Sequence, residues 1–87
     1  MDYDIKVYGT ETCPDTLRSR QHLADRGLEY QFIDINEDED AEEQVIEWGA
    51  GKRKIPVIEI SNEGETQRLT EPSNDELDEV LPEDLAA

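Results

Sequence analysis

Val7-Tyr8-Gly9-Thr10-Glu11-Thr12-Cys13-Pro14-Asp15-Thr16-Leu17-Arg18 is where the chain changes period. Upstream, Asp4-Ile5-Lys6-Val7-Tyr8 alternates polar and apolar residues, the mark of a half-buried strand. Gly9 ends that run and a short polar loop follows. Pro14 then suits the first position of a helix, where a missing N–H costs nothing. A helix is predicted from about Pro14 to Arg26, with Leu17, Leu23 and Ala24, and Leu28 just past its end, as the buried stripe. Gly27 stands where a left-handed cap is expected.

Outward from this junction the chain punctuates itself regularly. Leu28 to Ile35 reads as a second strand, with Tyr30 and Phe32 on one face. Asn36, with Glu39 three residues later, matches a capping box for a second helix. The acids Glu37 to Asp40 suit the positive end of its dipole. Its buried side is predicted as Ala41, Val45, Ile46 and Trp48, and Gly49-Ala50-Gly51 ends it. After the cations Lys52, Arg53 and Lys54, Ile55 to Ile60 reads as a third strand. The turn Ser61-Asn62-Glu63-Gly64 leads into a fourth strand, Glu65 to Thr70. Ser73-Asn74-Asp75-Glu76 is a full capping box for a last helix, with Leu77, Val80 and Leu81 inward. Pro82 and a frayed tail follow.

The order is β-α-β-α-β-β-α. A strand-helix-strand unit needs a parallel pair and a right-handed crossover, and the closing hairpin adds antiparallel strands. The expected fold class is therefore α/β, a mixed four-stranded sheet with helices on both faces. The 87 residues fit one domain spanning 1–87 and no more. No basic leader and no run near the ~20 apolar residues of a membrane span stand out. A cytoplasmic protein with no membrane partner is expected.

Charge narrows the function. Against 24 acidic residues stand eight cations, for a net charge of −16. Such a surface repels nucleic acid. It also repels itself, which favours a monomer and destabilises the compact state unless salt screens it. An acidic, lysine-poor surface on a folded domain reads as adaptation to high salt; an ordinary acidic protein is the alternative.

The chain holds one Cys and one His, so no internal disulfide and no four-ligand zinc site is expected. Cys13 lies between a strand end and a helix start. The helix start offers unpaired N–H groups and roughly half a positive charge, and both favour the thiolate, the nucleophilic form. Free cysteine is more often a small buried hydrophobe. The helix-initiating Pro14 beside it points instead to a reactive thiol. His22 lies more than two turns from Cys13 and reads as a surface residue.

The Val7–Arg18 stretch resembles the active-site region of glutaredoxins, normally Cys-Pro-Tyr-Cys or Cys-Gly-Phe-Ser. Lys54-Ile55-Pro56-Val57 resembles the family's Thr-Val-Pro segment, whose proline is cis. Leu69-Thr70-Glu71-Pro72-Ser73-Asn74-Asp75-Glu76-Leu77 resembles the matching segment of mycoredoxins and the Glu-Ser turn of glutathione-transferase N-terminal domains. The resemblance covers nearly the whole chain and implies a thioredoxin fold. It implies Cys13 as nucleophile, with the Pro14, Asp15 and Thr16 segment stabilising the thiolate and Thr16 offering the sulfur a hydrogen bond. It implies a thiol-peptide cradle of Arg53, Lys54, Ile55, Pro56, Ser73, Asn74 and Asp75. Read without the family, Pro56 starts an edge strand and Arg53 and Lys54 balance nearby Glu.

Three departures from the family pattern matter. Thr16 replaces the second cysteine, so a mixed disulfide must be resolved by a free small thiol. Pro72-Ser73 replaces the Gly-Gly pair that lets glutathione approach. Asp15 replaces an aromatic and, with Glu11, opposes the helix dipole at Cys13. The implied activity is thiol–disulfide exchange on mixed-disulfide proteins. No cofactor is bound; glutathione, γ-glutamylcysteine or another small thiol serves as co-substrate. A thiol-peptide-binding module without turnover is the alternative, and an iron–sulfur carrier ranks below it because the Cys-Gly-Phe-Ser loop is missing.

The charge reading is testable in potassium chloride. The thermal midpoint is expected to rise from low salt into the molar range; a flat or falling midpoint would remove the case for salt adaptation.

Overall fold

The computed structural model describes residues 3–62 and 64–81. Its elements run β1 (Tyr3–Gly9), α1 (Pro14–Asp25), β2 (Gln31–Asp34), α2 (Glu39–Trp48), β3 (Val57–Asn62), β4 (Glu65–Thr70) and α3 (Asn74–Val80). The sheet order is β2-β1-β3-β4. β1 and β2 are parallel; β1–β3 and β3–β4 are antiparallel. This is the mixed sheet and the element order expected from the sequence. Pro82, the frayed tail and Glu63 lie outside the described residues.

Strand alternation sorts the apolar residues onto two faces. Ile5, Val7, Ile58 and Ile60 face Leu23 of α1, Leu77 of α3 and Leu81. Val57 and Ile35 face Ala41 and Val45 of α2, with Tyr8, Ile33, Trp48 and Ile55 at the margin. Thus α1 and α3 cover one face and α2 the other. On the α2 side Trp48 is half-buried, edge-on to Tyr8 at 5.2 Å between ring centroids, with the Arg68 guanidinium 4.0 Å above its ring.

The inner face of α1 differs from the expected stripe. Leu17 is 45% exposed and Ala24 is exposed; Thr16, Ser19 and Leu23 are buried instead. The cause is a close approach at the helix start. A Cβ on Gly9 would sit 2.7 Å from Thr16 Cγ2 and nearer still to its Oγ1. A helix packed this tightly on β1 turns small side chains inward, and the 3.6-residue period then carries Leu17 out to solvent.

The helix ends follow local hydrogen-bond chemistry. After α1, Gly27 takes φ 71°, its N–H donates to Ala24 O and Leu28 N–H donates to Leu23 O, the paired bonds of a Schellman cap. The cap of α2 is Asp38, not Asn36: the Asp38 carboxylate accepts from Ala41 N–H at 3.0 Å. Asn36 is held earlier, its N–H donating to Asp34 Oδ1 at 2.9 Å in a turn that keeps it out of the helix. β2 starts at Gln31 rather than Leu28, although Leu28 and Tyr30 still pack on the core. β3 starts at Val57, and it is an interior strand. Pro56, which has no N–H for the ladder, precedes it, so the edge-strand reading is corrected. The capping box at α3 is as expected: Glu76 N–H donates to Ser73 Oγ at 3.1 Å and Ser73 N–H to Glu76 Oε1 at 3.0 Å.

His22 is not a free surface residue. Its Nε2 lies 2.8 Å from Asp78 Oδ1 on α3, and Arg26 Nη1 lies 2.6 Å from the same oxygen. The hydrogen bond from His22, followed by the charges of His22 and Arg26, holds the Asp78 carboxyl below the ordinary aspartate range. A carboxyl depressed in the folded state adds stability above its unfolded value near pH ~4 and loses it as pH falls further. Wild type is therefore expected to lose more of its urea midpoint between about pH 5 and 3 than Asp78→Asn does. Parallel losses would show that the clasp contributes nothing to acid sensitivity.

Candidate functional site

Three segments meet at one end of the sheet, where β1 finishes. Tyr8 pairs with Val57, and Val57 pairs with Thr70. The loop after β1, the segment before β3 and the loop after β4 therefore leave the sheet side by side. Ile35 N–H donates to Gly9 O, which brings Asn36 to the same end. Ligands of open α/β sheets collect at the carboxyl ends of parallel strands, and Cys13 lies there.

Cys13 is the N-cap of α1, with φ −77° and ψ 119°, and its side chain makes no capping hydrogen bond. It is a free, partly exposed thiol. Its carbonyl accepts from Leu17 N–H at 3.0 Å, starting the helix. Helix geometry leaves the first N–H groups without intrahelical acceptors. Pro14 has no N–H, so those of Asp15 and Thr16 are the donors available to charge on the sulfur.

The Thr16 hydroxyl does not serve the sulfur. Thr16 is 0% exposed, packs on Gly9, and its Oγ1 has no hydrogen-bond partner. The expectation of a Thr16–sulfur bond is corrected. A residue that small and buried serves the close helix–strand contact instead. Asp15 is answered by a cation that the sequence reading did not single out: Arg18 Nη1 lies 3.2 Å from Asp15 Oδ1. Both side chains are about half exposed, so the pair is worth little as stabilisation. Arg18 Nη2 also donates to Pro72 O at 2.9 Å, across 54 residues of sequence. The i,i+3 spacing of Asp15 and Arg18 was readable as a signal; the bond to Pro72 was not.

The Ile55–Pro56 bond is cis, as the resemblance implied. Pro56 is buried, and its carbonyl accepts from Glu71 N–H at 2.8 Å. Glu71 has φ 49°, a left-handed turn that leads into buried Pro72. Ser73 is committed to capping α3. The Asn74 Oδ1 atom is buried without a partner, and Asp75 is exposed. Arg53 turns toward α2: it donates to Asn36 Oδ1 at 2.5 Å and lies 3.4 Å from Glu42 Oε2. Lys54 is exposed. The structure thus gathers Cys13, Ile55, Pro56 and Ser73 to Asp75 at one end of the sheet, with Arg53 already paired. Among the described residues no group of three or more His, Cys, Asp or Glu side chains could hold a metal ion.

Comparison with known proteins places this geometry. The family model for glutaredoxins matches residues 5–64. A probable glutaredoxin of Synechocystis is 34% identical over 59 residues, 68% of this chain and 67% of that protein. The N-acetyl-S-hydroxy-L-cysteine reductase of Bacillus subtilis is 28% identical over 78 residues, 90% of this chain and 83% of that protein. NrdH-redoxin, a glutaredoxin-like protein of Escherichia coli, superposes with a TM-score of 0.71 at 19% identity, over 91% of this chain and 96% of that one. The maleylacetoacetate isomerase of Anaeromyxobacter dehalogenans, solved with glutathione in its active site, gives a TM-score of 0.62 at 23% identity. That match covers 90% of this chain, which spans only 36% of the isomerase. The architecture is the thioredoxin fold.

The Gly9–Thr16 contact yields a double-mutant test. Gly9→Ala is expected to cost about 1–3 kcal/mol by overpacking, measured from urea unfolding. Adding Thr16→Ala is expected to recover part of that cost, because the two nearest neighbours of the new Cβ are removed and only Thr16 Cβ, at 3.1 Å, remains. Additive costs would place the strain elsewhere.

Proposed function

The chain belongs to the glutaredoxin family, and from that premise we propose that it is a monothiol thiol–disulfide oxidoreductase. It reduces mixed disulfides at the expense of a low-molecular-weight thiol, as a cytoplasmic monomer. The observation that carries the reading is the position of Cys13: partly exposed, its side chain making no capping bond, at a helix start on the sheet end that the cis Ile55–Pro56 segment also reaches.

The Cys13 thiolate attacks the small-thiol sulfur of a mixed disulfide, and the substrate protein leaves as its thiolate and takes a proton from water. Cys13 now carries the small thiol in a disulfide. The Asp15 and Thr16 N–H groups stabilise the sulfur charge at either end of this step. A second small thiolate then attacks the adduct, forming the small-thiol disulfide and releasing Cys13. The net exchange consumes one free small thiol for each substrate protein released, and Thr16 supplies none. The Ile55 backbone pairs with the bound thiol peptide as a short added strand, and Asn74 and Asp75, just past the capping Ser73, hold its γ-glutamyl end. Arg53 and Lys54 take its carboxylate; the half-exposed Arg53–Glu42 pair is cheap to exchange.

The Bacillus relative's name supports a second substrate class, a small cysteine sulfenic acid. Cys13 thiolate attacks its sulfur, hydroxide leaves as water after taking a proton, and the same mixed disulfide results. The likeness to a glutathione-bound isomerase supports instead a thiol-peptide-binding module without turnover.

Mass spectrometry after treatment with oxidised glutathione separates the readings. Wild type is expected to carry one glutathionyl group, released by reduced glutathione, and Cys13→Ser none. A thiol that reacts with iodoacetamide yet forms no adduct would favour the binding module.

A further inference from the structure

We propose that Arg18 is a positioning residue, which fixes the Cys13 helix against the segment that leads into the thiol-peptide cradle. This rests on the oxidoreductase reading above. Cys13 begins α1, whereas Ser73 to Asp75 follow β4, and the two meet only across the sheet end. One guanidinium spans them. Arg18 Nη2 donates to Pro72 O at 2.9 Å while Nη1 lies 3.2 Å from Asp15 Oδ1, two residues from Cys13.

The Pro72 segment is held from both sides. Its predecessor, Glu71, turns through φ 49° and donates its N–H to Pro56 O at 2.8 Å. Pro72 is buried and has a carbonyl but no N–H, so Arg18 answers its one backbone polar group. These two bonds lock Glu71-Pro72 to the cis Ile55–Pro56 segment on one side and to α1 on the other. A bound thiol peptide would have to touch all three segments at once, so its sulfur meets Cys13 at a distance that these bonds set. The Asp15 contact, half exposed, is the weaker arm. The Pro72 contact is partly buried and has a charged donor, which makes it the stronger. A planar fork with separated donors reaches both acceptors; an ammonium group is a point charge and cannot.

Removing Arg18 is therefore expected to spare attack on any disulfide that needs only the thiolate, and to impair attack on one that must be seated. Adduct formation would be followed with oxidised glutathione and with 5,5′-dithiobis(2-nitrobenzoate). Both are dianions, so the net charge of −16 weighs on each alike. Arg18→Ala is expected to slow the glutathione reaction about tenfold, mostly as a higher half-saturating concentration, and to change the aromatic reaction less than about twofold. Arg18→Lys is not expected to restore it. Amide exchange at Ser73 and Asn74 is expected to speed in Arg18→Ala while β1 and β3 stay protected. Equal slowing on both disulfides, full rescue by Lys, or no slowing would overturn the proposal. If wild type reacts with the aromatic disulfide but not with glutathione, the proposed thiol fails, and the exchange comparison alone decides whether Arg18 holds the segment: unchanged exchange overturns it.

Discussion

The contact of Gly9 with Thr16 governs the geometry of this protein. β1 delivers the chain to α1 through only Thr10, Glu11, Thr12 and the N-cap Cys13, and the first helical turn must lie against the strand it has just left. Glycine on the strand and a small buried side chain on the helix permit that approach. Once the helix phase is set there, Cys13 becomes the N-cap, Leu23 enters the core, Leu17 faces solvent and Arg18 reaches Pro72. The second family cysteine would occupy the place of Thr16, in the most crowded part of this junction. Here that place is given to packing, and the chemistry falls to one sulfur.

What the sequence made legible is what local rules control. The strand at Asp4–Tyr8, the Gly27 cap and the Ser73–Glu76 box follow from neighbouring residues, and each is present. The position of Cys13 followed from Pro14. Where the reading failed, a long-range or competing contact decided. Leu17 and Ala24 looked apolar enough for the core, but the Gly9 contact rotated the helix. Asn36 looked like a cap, but Asp34 captured its N–H and Asp38, an equally good cap, took over. His22 looked isolated because Asp78 is 56 residues away. The cis bond was legible only through resemblance, since a single sequence carries no local signal for it.

The cations of this acidic chain are used sparingly and for structure. Each of the five arginines joins separate segments of the chain. Arg18 reaches Pro72, Arg26 reaches Asp78, Arg53 reaches Asn36 and Glu42, Arg68 joins Glu59 to Trp48, and Arg20 bonds Tyr30 while stacking 3.9 Å from Phe32. Guanidinium suits this use, because its planar donors and face bind carbonyls, carboxylates and rings at once. Hydrogen bonds and stacking survive screening better than bare Coulomb attraction does. Such links keep their value as ionic strength rises.

Trp48 is the chain's one tryptophan, and its surroundings make it an optical gauge of the site. Its ring is gripped by Tyr8 at its edge and Arg68 above, and it borders the same apolar cluster as Ile55. The indole thus reads, through one layer of side chains, the backbone that precedes Pro56. An occupant that shifted Ile55 would alter the polarity around the indole and move its emission. Filling of the proposed site would then be readable in the protein's own fluorescence, with no label attached.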